Sequence, residues 1–257
     1  NFIDTANKYM QGTSERWVGE FLGSERDKMV VATKYTLTMD PDDPNAHGNH
    51  RKNLVRSVED SLDRLKTDYI DILWVHAWDF MTPIDEVMRS LDDLVRAGKV
   101  LYLGISNTPA WIVAQANTLV HLRDWPPFVG LQVPYNLTER SIEREFLPMA
   151  DSMDLAVTAY FPLAAGILTG KYNQESEEPR RLGPGSPVGI FEVEKEKLAV
   201  AAEVIKIAQD IQRTPSQVAL NWVRQRQKKA VMIPIIGART EAQIMDNLGC
   251  LDFKLET

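Results

Sequence analysis

Four polar side chains stand at or just beyond the ends of short apolar runs, and their types suit one kind of reaction. Asp4 and Tyr9 follow the first run, Lys34 ends a second, and His76 follows a third. A nearby lysine favours the phenolate and lowers the phenol pKa, and a paired aspartate keeps that lysine charged. With a histidine to hydrogen-bond a substrate oxygen, such a phenol is a general acid for a carbonyl that receives hydride. The hydride itself must come from a cofactor.

Each of these residues also has a structural interpretation when it is taken alone. Asp4 could cap the turn that follows it, and Tyr9 could be a half-buried aromatic. Lys34 could extend its ammonium group from the end of a barrel. His76 could be a hydrogen-bonded core histidine. The chemical interpretation therefore requires a fold that brings the ends of the apolar runs together.

The chain alternates apolar runs with longer amphipathic stretches, which predicts right-handed βαβ units and a parallel sheet. The predicted strands are Asn1–Ala6, Met29–Tyr35, Tyr69–Ala77, Val100–Asn107, Val129–Asn136, Leu155–Leu163 and Ala230–Gly237. The predicted helices are Ser14–Leu22, Asn49–Leu65, Pro83–Ala97, Pro109–Leu119, Ile142–Met153, Val193–Gln212, Pro215–Gln225 and Thr240–Leu248. Gly98 is placed to end the third helix and Pro109 to stand at the first position of the fourth.

The count of predicted strands leaves two α/β architectures open. Seven strands fit a doubly wound sheet, whereas a (β/α)8 barrel needs eight. No break in composition divides the chain, so we predict one domain over residues 1–257. Two long polar loops, Thr36–Asn49 and Asn173–Ile190, follow strand ends, where α/β barrels place their sites. The second follows Lys171 and is predicted to be a lid over a cofactor.

Composition and missing motifs narrow the function classes. A net charge of −7 and a pI of about 5.2 argue against a nucleic-acid partner. The single cysteine, Cys250, suits the cytoplasm, and no apolar run reaches the length of about 18 residues that predicts a membrane span. The sequence contains no GxGxxG, P-loop, HExxH, CxxC or GxSxG motif. The carboxylates of Asp40–Asp43 are typical of a solvated loop, so no metal site is predicted.

The order and spacing of several short motifs resemble the aldo-keto reductase family almost end to end. The motifs are Asn1–Ala6 with Tyr9, Ser14-Glu15, Val31–Lys34, Thr67–Leu73 with His76, Gly98–Val100 leading to Gly104–Asn107, Gln132–Leu137, Pro162–Ala164, Gly166–Tyr172, and Ile235–Thr240 through Asn247. Within the family the chain is similar to the aryl-alcohol dehydrogenase and norsolorinic-acid reductase branch, and it shares features with the potassium-channel β-subunit-like branch.

The resemblance implies a (β/α)8 barrel that reduces aldehydes or ketones to alcohols with NADP(H). Tyr9 then resembles the proton donor, Lys34 the residue that lowers its pKa, Asp4 the partner of Lys34, and His76 the residue that orients the carbonyl. The cofactor positions implied by the resemblance are Ser106, Asn107 and Gln132 for the carboxamide, Tyr160 for stacking on the nicotinamide, Leu163 and Lys171 for the pyrophosphate, and Gly237, Arg239, Gln243 and Asn247 for the adenosine phosphate.

Arg239 also has support from its own position. It lies beside a predicted helix N-terminus, where its guanidinium could fork onto a 2′-phosphate. The alternative is an ordinary surface arginine. The sequence departs from the family pattern at Met10, where glycine is common, and at Phe161, which replaces a serine before the Pro-Leu pair.

The family pattern also places a strand and helix before Asn1 and a helix after Thr257. We therefore expect the first barrel strand and the C-terminal helix to be missing from this chain, and the natural protein to be longer. Tyr35, Trp78 and Phe80 are predicted to line an apolar pocket for an aryl or other hydrophobic aldehyde. The alternative for these aromatics is ordinary packing under long loops.

Two function classes follow from the sequence. The first is an NADP(H)-dependent reductase that acts on a small carbonyl substrate, with neither a nucleic-acid nor a membrane partner. The second is an NADP(H)-binding module without turnover, either a redox-sensing subunit or a degenerate truncated relative. A homo-oligomer is compatible with both.

Overall fold

A computed structural model describes residues 1–173, 182, 193–226 and 230–256. The chain divides into two compact units, residues 1–132 and 133–257, each of which is described by itself. The boundary falls inside the fifth strand, where the composition gives no signal. The prediction of one domain over residues 1–257 stays a prediction.

The first unit alternates strands and helices without exception. Its strands are β1 (Phe2–Asp4), β2 (Val30–Tyr35), β3 (Ile70–Val75), β4 (Val100–Ser106) and β5 (Phe128–Pro134, whose last two residues belong to the second unit). Its helices are α1 (Thr13–Leu22), α2 (Arg51–Leu65), α3 (Ile84–Arg96) and α4 (Ala110–Arg123). Each strand pairs in parallel with the next one along the chain. The predicted α/β class and parallel pairing are confirmed.

A contact between the first and fifth strands shows that the sheet of this unit is curled. Gln132 Nε2 donates to Asp4 Oδ1 over 3.0 Å. In a flat sheet the four steps from β1 to β5 would span roughly 19 Å, which the two side chains cannot bridge. The sheet must therefore bend toward closure, as in a barrel and unlike an open doubly wound sheet.

Strand register decides which side chains share the inner face of the curled sheet. Lys34 pairs with Trp74, and Trp74 pairs with Gly104. Ser106 pairs with Gln132 on the next two strands. Because side chains alternate with a period of two, these residues point to one face. The helices cover the other face, where α2 buries Leu54, Val58, Leu62 and Leu65 at helical spacing.

The second unit contains a strand pair and four helices among its described residues. They are β6 (Ala156–Tyr160) and β7 (Met232–Pro234), which pair in parallel, and α5 (Phe146–Met153), α6 (Lys195–Asp210), α7 (Pro215–Gln225) and α8 (Glu241–Leu248). Leu168, Ala201, Val204 and Ala219 form the centre of its apolar core. None of the described helices in either unit is long and apolar enough to cross a membrane.

The predicted elements are all present, and the differences lie at their ends. Asn1–Ala6 shortens to β1 (Phe2–Asp4), although the backbone N–H of Thr5 still donates to the carbonyl of Ala32. Ile142–Met153 divides into a 3-10 turn at Ser141–Glu143 and α5. The predicted position of Pro109 is wrong by one residue, since its extended ψ of 142° makes it the N-cap of α4. Gly98, with a φ of 71°, follows α3 as predicted.

Of the two long loops, the first lies within the described residues and the second lies almost wholly outside them. Thr36–Asn49 contains neither helix nor strand, as predicted. The proposed lid, Asn173–Ile190, lies outside the described residues apart from Asn173 and Leu182.

The contact between Gly104 and Trp74 allows a test of side-chain packing on the inner face of the sheet. A Cβ added at Gly104 would come within 2.2 Å of the Trp74 ring, which is fully buried. Gly104→Ala should therefore lower the free energy of unfolding by about 1–3 kcal/mol through overpacking. Urea unfolding measures the change. Gly237→Ala is the control, since its added Cβ meets nothing within 4 Å. Equal unfolding midpoints for the two variants would contradict this packing.

Candidate active site

A buried ion pair lies at the centre of the candidate site. Lys34 Nζ contacts Asp4 Oδ2, and the side chains are 1% and 6% exposed. Lys34 Nζ also donates to the carbonyl of Thr5 over 2.7 Å. Burial lowers the pKa of Lys34 below its usual value, and the Asp4 charge opposes that shift. The lysine is thus held by two oxygen acceptors and kept away from water.

Tyr9 and His76 lie next to this pair, with their rings against each other. Lys34 Nζ is 5.0 Å from the centroid of the Tyr9 ring. The Tyr9 and His76 rings meet edge to face with centroids 6.0 Å apart. Tyr9 is 41% exposed, so its ring is open to a ligand from solvent. The four side chains that the sequence predicts to converge do so.

His76 is placed by its neighbours and is held neutral. The backbone N–H of His76 donates to the carbonyl of Tyr35 over 3.1 Å, and its backbone carbonyl accepts from Asn107 Nδ2 over 2.9 Å. Burial, assisted by the positive charge of Lys34, lowers the pKa of His76 to about 4. Its Nδ1 is buried and has no hydrogen-bond partner among the described residues. At neutral pH the imidazole is therefore uncharged.

The backbone of the loop after Tyr9 favours glycine at the position that Met10 occupies. Met10, Gln11 and Gly12 all have positive φ values, of 49°, 53° and 82°. Glycine adopts this region freely, whereas a side chain is strained there. A methionine at the first of these positions keeps the turn with some strain. Such strain is common at functional sites.

The three predicted carboxamide-binding residues lie at the ends of neighbouring strands of the same unit. Ser106 Oγ accepts from Asn107 Nδ2 over 3.1 Å, and Gln132 donates to Asp4. Ser106 and Gln132 are buried, and Asn107 is exposed with a φ of 44°. Together they offer neutral donors and acceptors beside the Asp4–Lys34 pair. A carboxamide needs both, so these residues fit that group.

A reciprocal pair of hydrogen bonds ties together the loops after β2 and β3. Asn49 N donates to Asp79 Oδ2 over 2.7 Å, and Asp79 N donates to Asn49 Oδ1 over 2.7 Å. Asn49 Nδ2 also donates to Thr36 Oγ1, where the backbone φ of Thr36 is 108°. Desolvation tends to raise the pKa of Asp79, but hydrogen bonds from Asn49 and Thr82 outweigh it and lower the pKa. The clamp fixes the loops that follow Lys34 and His76.

The three aromatic residues predicted to line a pocket have different environments. Tyr35 is 1% exposed and its hydroxyl lies 3.4 Å from the carbonyl of Asn49. Because it follows Lys34 directly, alternation places it on the helix side of β2, away from the cluster. Trp78 is 9% exposed and Phe80 is 67% exposed. Tyr35 is therefore not brought together with Tyr9, whereas Phe80 is open to a ligand.

In the second unit the predicted cofactor residues form two groups. Tyr160 ends β6 and meets Phe161 edge to face at 5.1 Å. Burial raises the pKa of Tyr160. Leu163 is half-buried and opens the 3-10 segment Ala164–Thr169, which has positive φ at Ala165 and Gly166. The Lys171 side chain lies against Gly166, since a Cβ added there would be 3.0 Å from Lys171 Cε.

The other group lies at the N-terminus of α8. Gly237, Arg239 and Gln243 are exposed, and Asn247 is buried. Arg239 N donates to Gln243 Oε1 over 2.8 Å, and Thr240 caps the helix by accepting from Gln243 N. A guanidinium beside a helix N-terminus suits a phosphate ester. Both groups fit a nicotinamide dinucleotide with a 2′-phosphate. No cluster of metal-ligating residues occurs among the residues described.

The sequence did not predict the hydrogen bonds that Glu15, Arg64 and Asn49 make around the site. Glu15 is fully buried and accepts hydrogen bonds from Thr33 and Arg64, neither of which the sequence predicts as its partner. The signal that could have identified it is a glutamate in the first turn of α1, on the same helix face as Gly19 and Leu22 at i+4 and i+7. Arg64 and Asn49 carry no such signal, because their partners are distant in sequence.

Comparisons with known proteins find similarity along the whole chain. The sequence model described as the aldo/keto reductase family matches residues 1–257. The chain is 39% identical to an aryl-alcohol dehydrogenase [NADP(+)] of Phanerodontia chrysosporium, over 99% of this chain and 69% of that protein. It is 38% identical to a norsolorinic acid reductase of Emericella nidulans, over 99% of this chain and 65% of that protein. It is 37% identical to an aryl-alcohol dehydrogenase of Pestalotiopsis microspora, over 99% and 66%. The chain thus spans about two thirds of the length of these relatives.

The low pKa of His76 predicts a pH dependence of stability. As pH falls from 6.5 toward about 4, the unfolded chain binds the imidazole proton before the folded chain does. The free energy of unfolding should therefore fall in that window, and His76→Gln should lose less over the same range. Urea unfolding at several pH values measures both slopes. His121→Gln, at an exposed position on α4, should keep the wild-type slope. Identical slopes for wild type and His76→Gln would contradict the burial of a neutral imidazole.

Proposed function

Because the chain belongs to the aldo/keto reductase family, we propose that it reduces aldehydes or ketones to alcohols with NADP(H). The observation that carries this proposal is the position of Tyr9. Its ring lies 5.0 Å from the buried Lys34 ammonium and 6.0 Å from a neutral His76, on a surface open to solvent. The geometry suits a phenol that protonates a carbonyl oxygen.

In the proposed reaction Tyr9 is the proton donor. Its Oη–H bond breaks as the proton passes to the carbonyl oxygen, which leaves a phenolate beside the Lys34 cation. Lys34 stabilises that phenolate more than it stabilises the phenol, so it lowers the Tyr9 pKa. Asp4 and the Thr5 carbonyl hold the ammonium group in place. His76, being neutral, offers one N–H that can orient the carbonyl without bringing a second charge.

The nicotinamide cofactor supplies the hydride when it is bound. Ser106, Asn107 and Gln132 would hold its carboxamide through neutral hydrogen bonds. In the second unit Tyr160 would stack on its ring, and Leu163 and Lys171 would lie along its pyrophosphate. Gly237, Arg239, Gln243 and Asn247 would bind the adenosine end, where the charge of Arg239 favours a 2′-phosphate.

We propose an aryl or other hydrophobic aldehyde as the substrate class. Trp78 and Phe80 follow β3, the strand that leads into His76, and the exposed ring of Phe80 is available for stacking. The names of the relatives, which include two aryl-alcohol dehydrogenases, support the same class. A panel of aromatic and short aliphatic aldehydes separates this class from a general reductase.

Replacement of Tyr9 tests the proposal directly. Tyr9→Phe removes the transferable proton and leaves the ring, so kcat for 4-nitrobenzaldehyde should fall by about 100-fold or more. NADPH binding, measured by fluorescence, should be retained. Tyr69→Phe is the control, since Tyr69 lies before β3 and bonds Asp27 instead.

Two outcomes would contradict the proposal. One is turnover in Tyr9→Phe at the wild-type rate. The other is a wild-type chain that binds NADPH but reduces no aldehyde or ketone in the panel, which would favour a redox-sensing or other non-catalytic module.

A further inference from the structure

We propose that Glu15 is a positioning residue that sets the Lys34–Tyr9 distance from the helix side of the sheet. This inference rests on the proposed function, because it assigns the role of the Glu15 network to the proton donor Tyr9. Glu15 bonds to Thr33 and Arg64, neither of which belongs to the four-residue candidate site. It acts through the residues next to them, on the opposite face of the same strands.

The Glu15 carboxylate is buried. The side chain is 0% exposed, and it accepts from Thr33 Oγ1 over 2.5 Å and from Arg64 Nε over 2.6 Å. A buried carboxylate is tolerated only when it is paired and hydrogen-bonded. These two bonds supply both requirements. They also fix the carboxylate between strand β2 and helix α2.

Thr33 links Glu15 to Lys34. Thr33 precedes Lys34 in β2, and side chains alternate along a strand. Thr33 therefore points toward α1 while Lys34 points into the site. The bond from Thr33 to Glu15 holds β2 against α1, and so fixes the backbone from which the Lys34 side chain extends.

Ser14 links the same helix to the segment that carries Asp4 and Tyr9. Ser14, the neighbour of Glu15, shares a 2.7 Å hydrogen bond with Thr5, the residue after Asp4. The carbonyl of Thr5 is one of the two oxygens that hold Lys34 Nζ. Ser14 N also donates to the carbonyl of Tyr9 over 3.4 Å. The start of α1 therefore bonds the Thr5 side chain and the Tyr9 backbone, near the two ends of the Asp4–Tyr9 segment.

Arg64 contacts the turn after Tyr9. A Cβ added at Gly12 would lie 2.7 Å from Arg64 Cδ, so the arginine stem rests on this turn. Arg64 is kept there by Glu15 and by Ser61. Loss of the Glu15 charge would free Arg64 and, with it, the turn that carries Tyr9.

The alternative is that Glu15 only stabilises the fold, since removal of one partner from any buried ion pair is destabilising. The two roles differ in one measurable property. A stabilising residue changes the unfolding midpoint and leaves the Tyr9 pKa in the folded protein as it was. A positioning residue changes that pKa, because the Lys34 ammonium moves relative to the phenol.

The experiment is an NMR titration of Tyr9 in the full chain labelled with 13C at tyrosine Cζ. Tyr9→Phe assigns the resonance. We expect Glu15→Ala to raise the Tyr9 pKa and Glu15→Gln, which keeps the acceptor oxygen, to raise it less. In turnover, Glu15→Ala should lower kcat by about 10-fold to 100-fold with KM for NADPH little changed. Glu20→Ala, at an exposed position on the same helix, should change neither.

The outcomes separate this inference from the proposed function. A folded Glu15→Ala with an unchanged Tyr9 pKa would overturn the inference, even if the wild type reduces aldehydes. A raised pKa in a chain without turnover would support the inference and refute the function. If Glu15→Ala does not fold, Glu15→Gln and Ser14→Ala decide the question: unchanged Tyr9 pKa values in both would overturn the positioning role.

Discussion

The buried ion pair between Lys34 and Asp4 is the interaction on which the rest of the site depends. An ammonium group at 1% exposure is costly unless it is paired, and Asp4 together with the Thr5 carbonyl removes most of that cost. The surrounding features follow from the same charge. It helps to keep His76 neutral, and it lies 5.0 Å from the centroid of the Tyr9 ring. The pair is thus an electrostatic centre around which uncharged groups are arranged.

Asp4 also connects the pair to the curl of the first unit. Its Oδ2 contacts Lys34 on the neighbouring strand β2, and its Oδ1 accepts from Gln132 Nε2 on β5. Satisfying both requires that the first and fifth strands approach, which a flat sheet forbids. Behind the sheet, Glu15 provides a second buried carboxylate that is shared in the same way between Thr33 and Arg64. Two carboxylates on opposite faces therefore hold the same segment of chain.

The sequence predicted the elements and the convergence of Asp4, Tyr9, Lys34 and His76 because both depend on local patterns. Apolar runs mark parallel strands, and parallel strands end on one edge. Three things could not be predicted in this way. Tyr35 lies on the helix side because strand parity is fixed by pairing, which propensity does not specify. The Asn49–Asp79 clamp and the Glu15–Arg64 pair join residues 30 and 49 positions apart. The unit boundary inside β5 leaves no trace in composition.

The central claim is that Lys34 and Asp4 act as one unit, and a double-mutant cycle tests it most directly. Asp4→Asn, Lys34→Met and the double variant would be compared with wild type by urea unfolding. Each single change leaves a buried group without its partner, so each should cost about 3–5 kcal/mol. The double change removes both charges and should cost less than the sum of the single changes, by more than about 1 kcal/mol. Additive costs would show that the two residues are independent and would contradict the account.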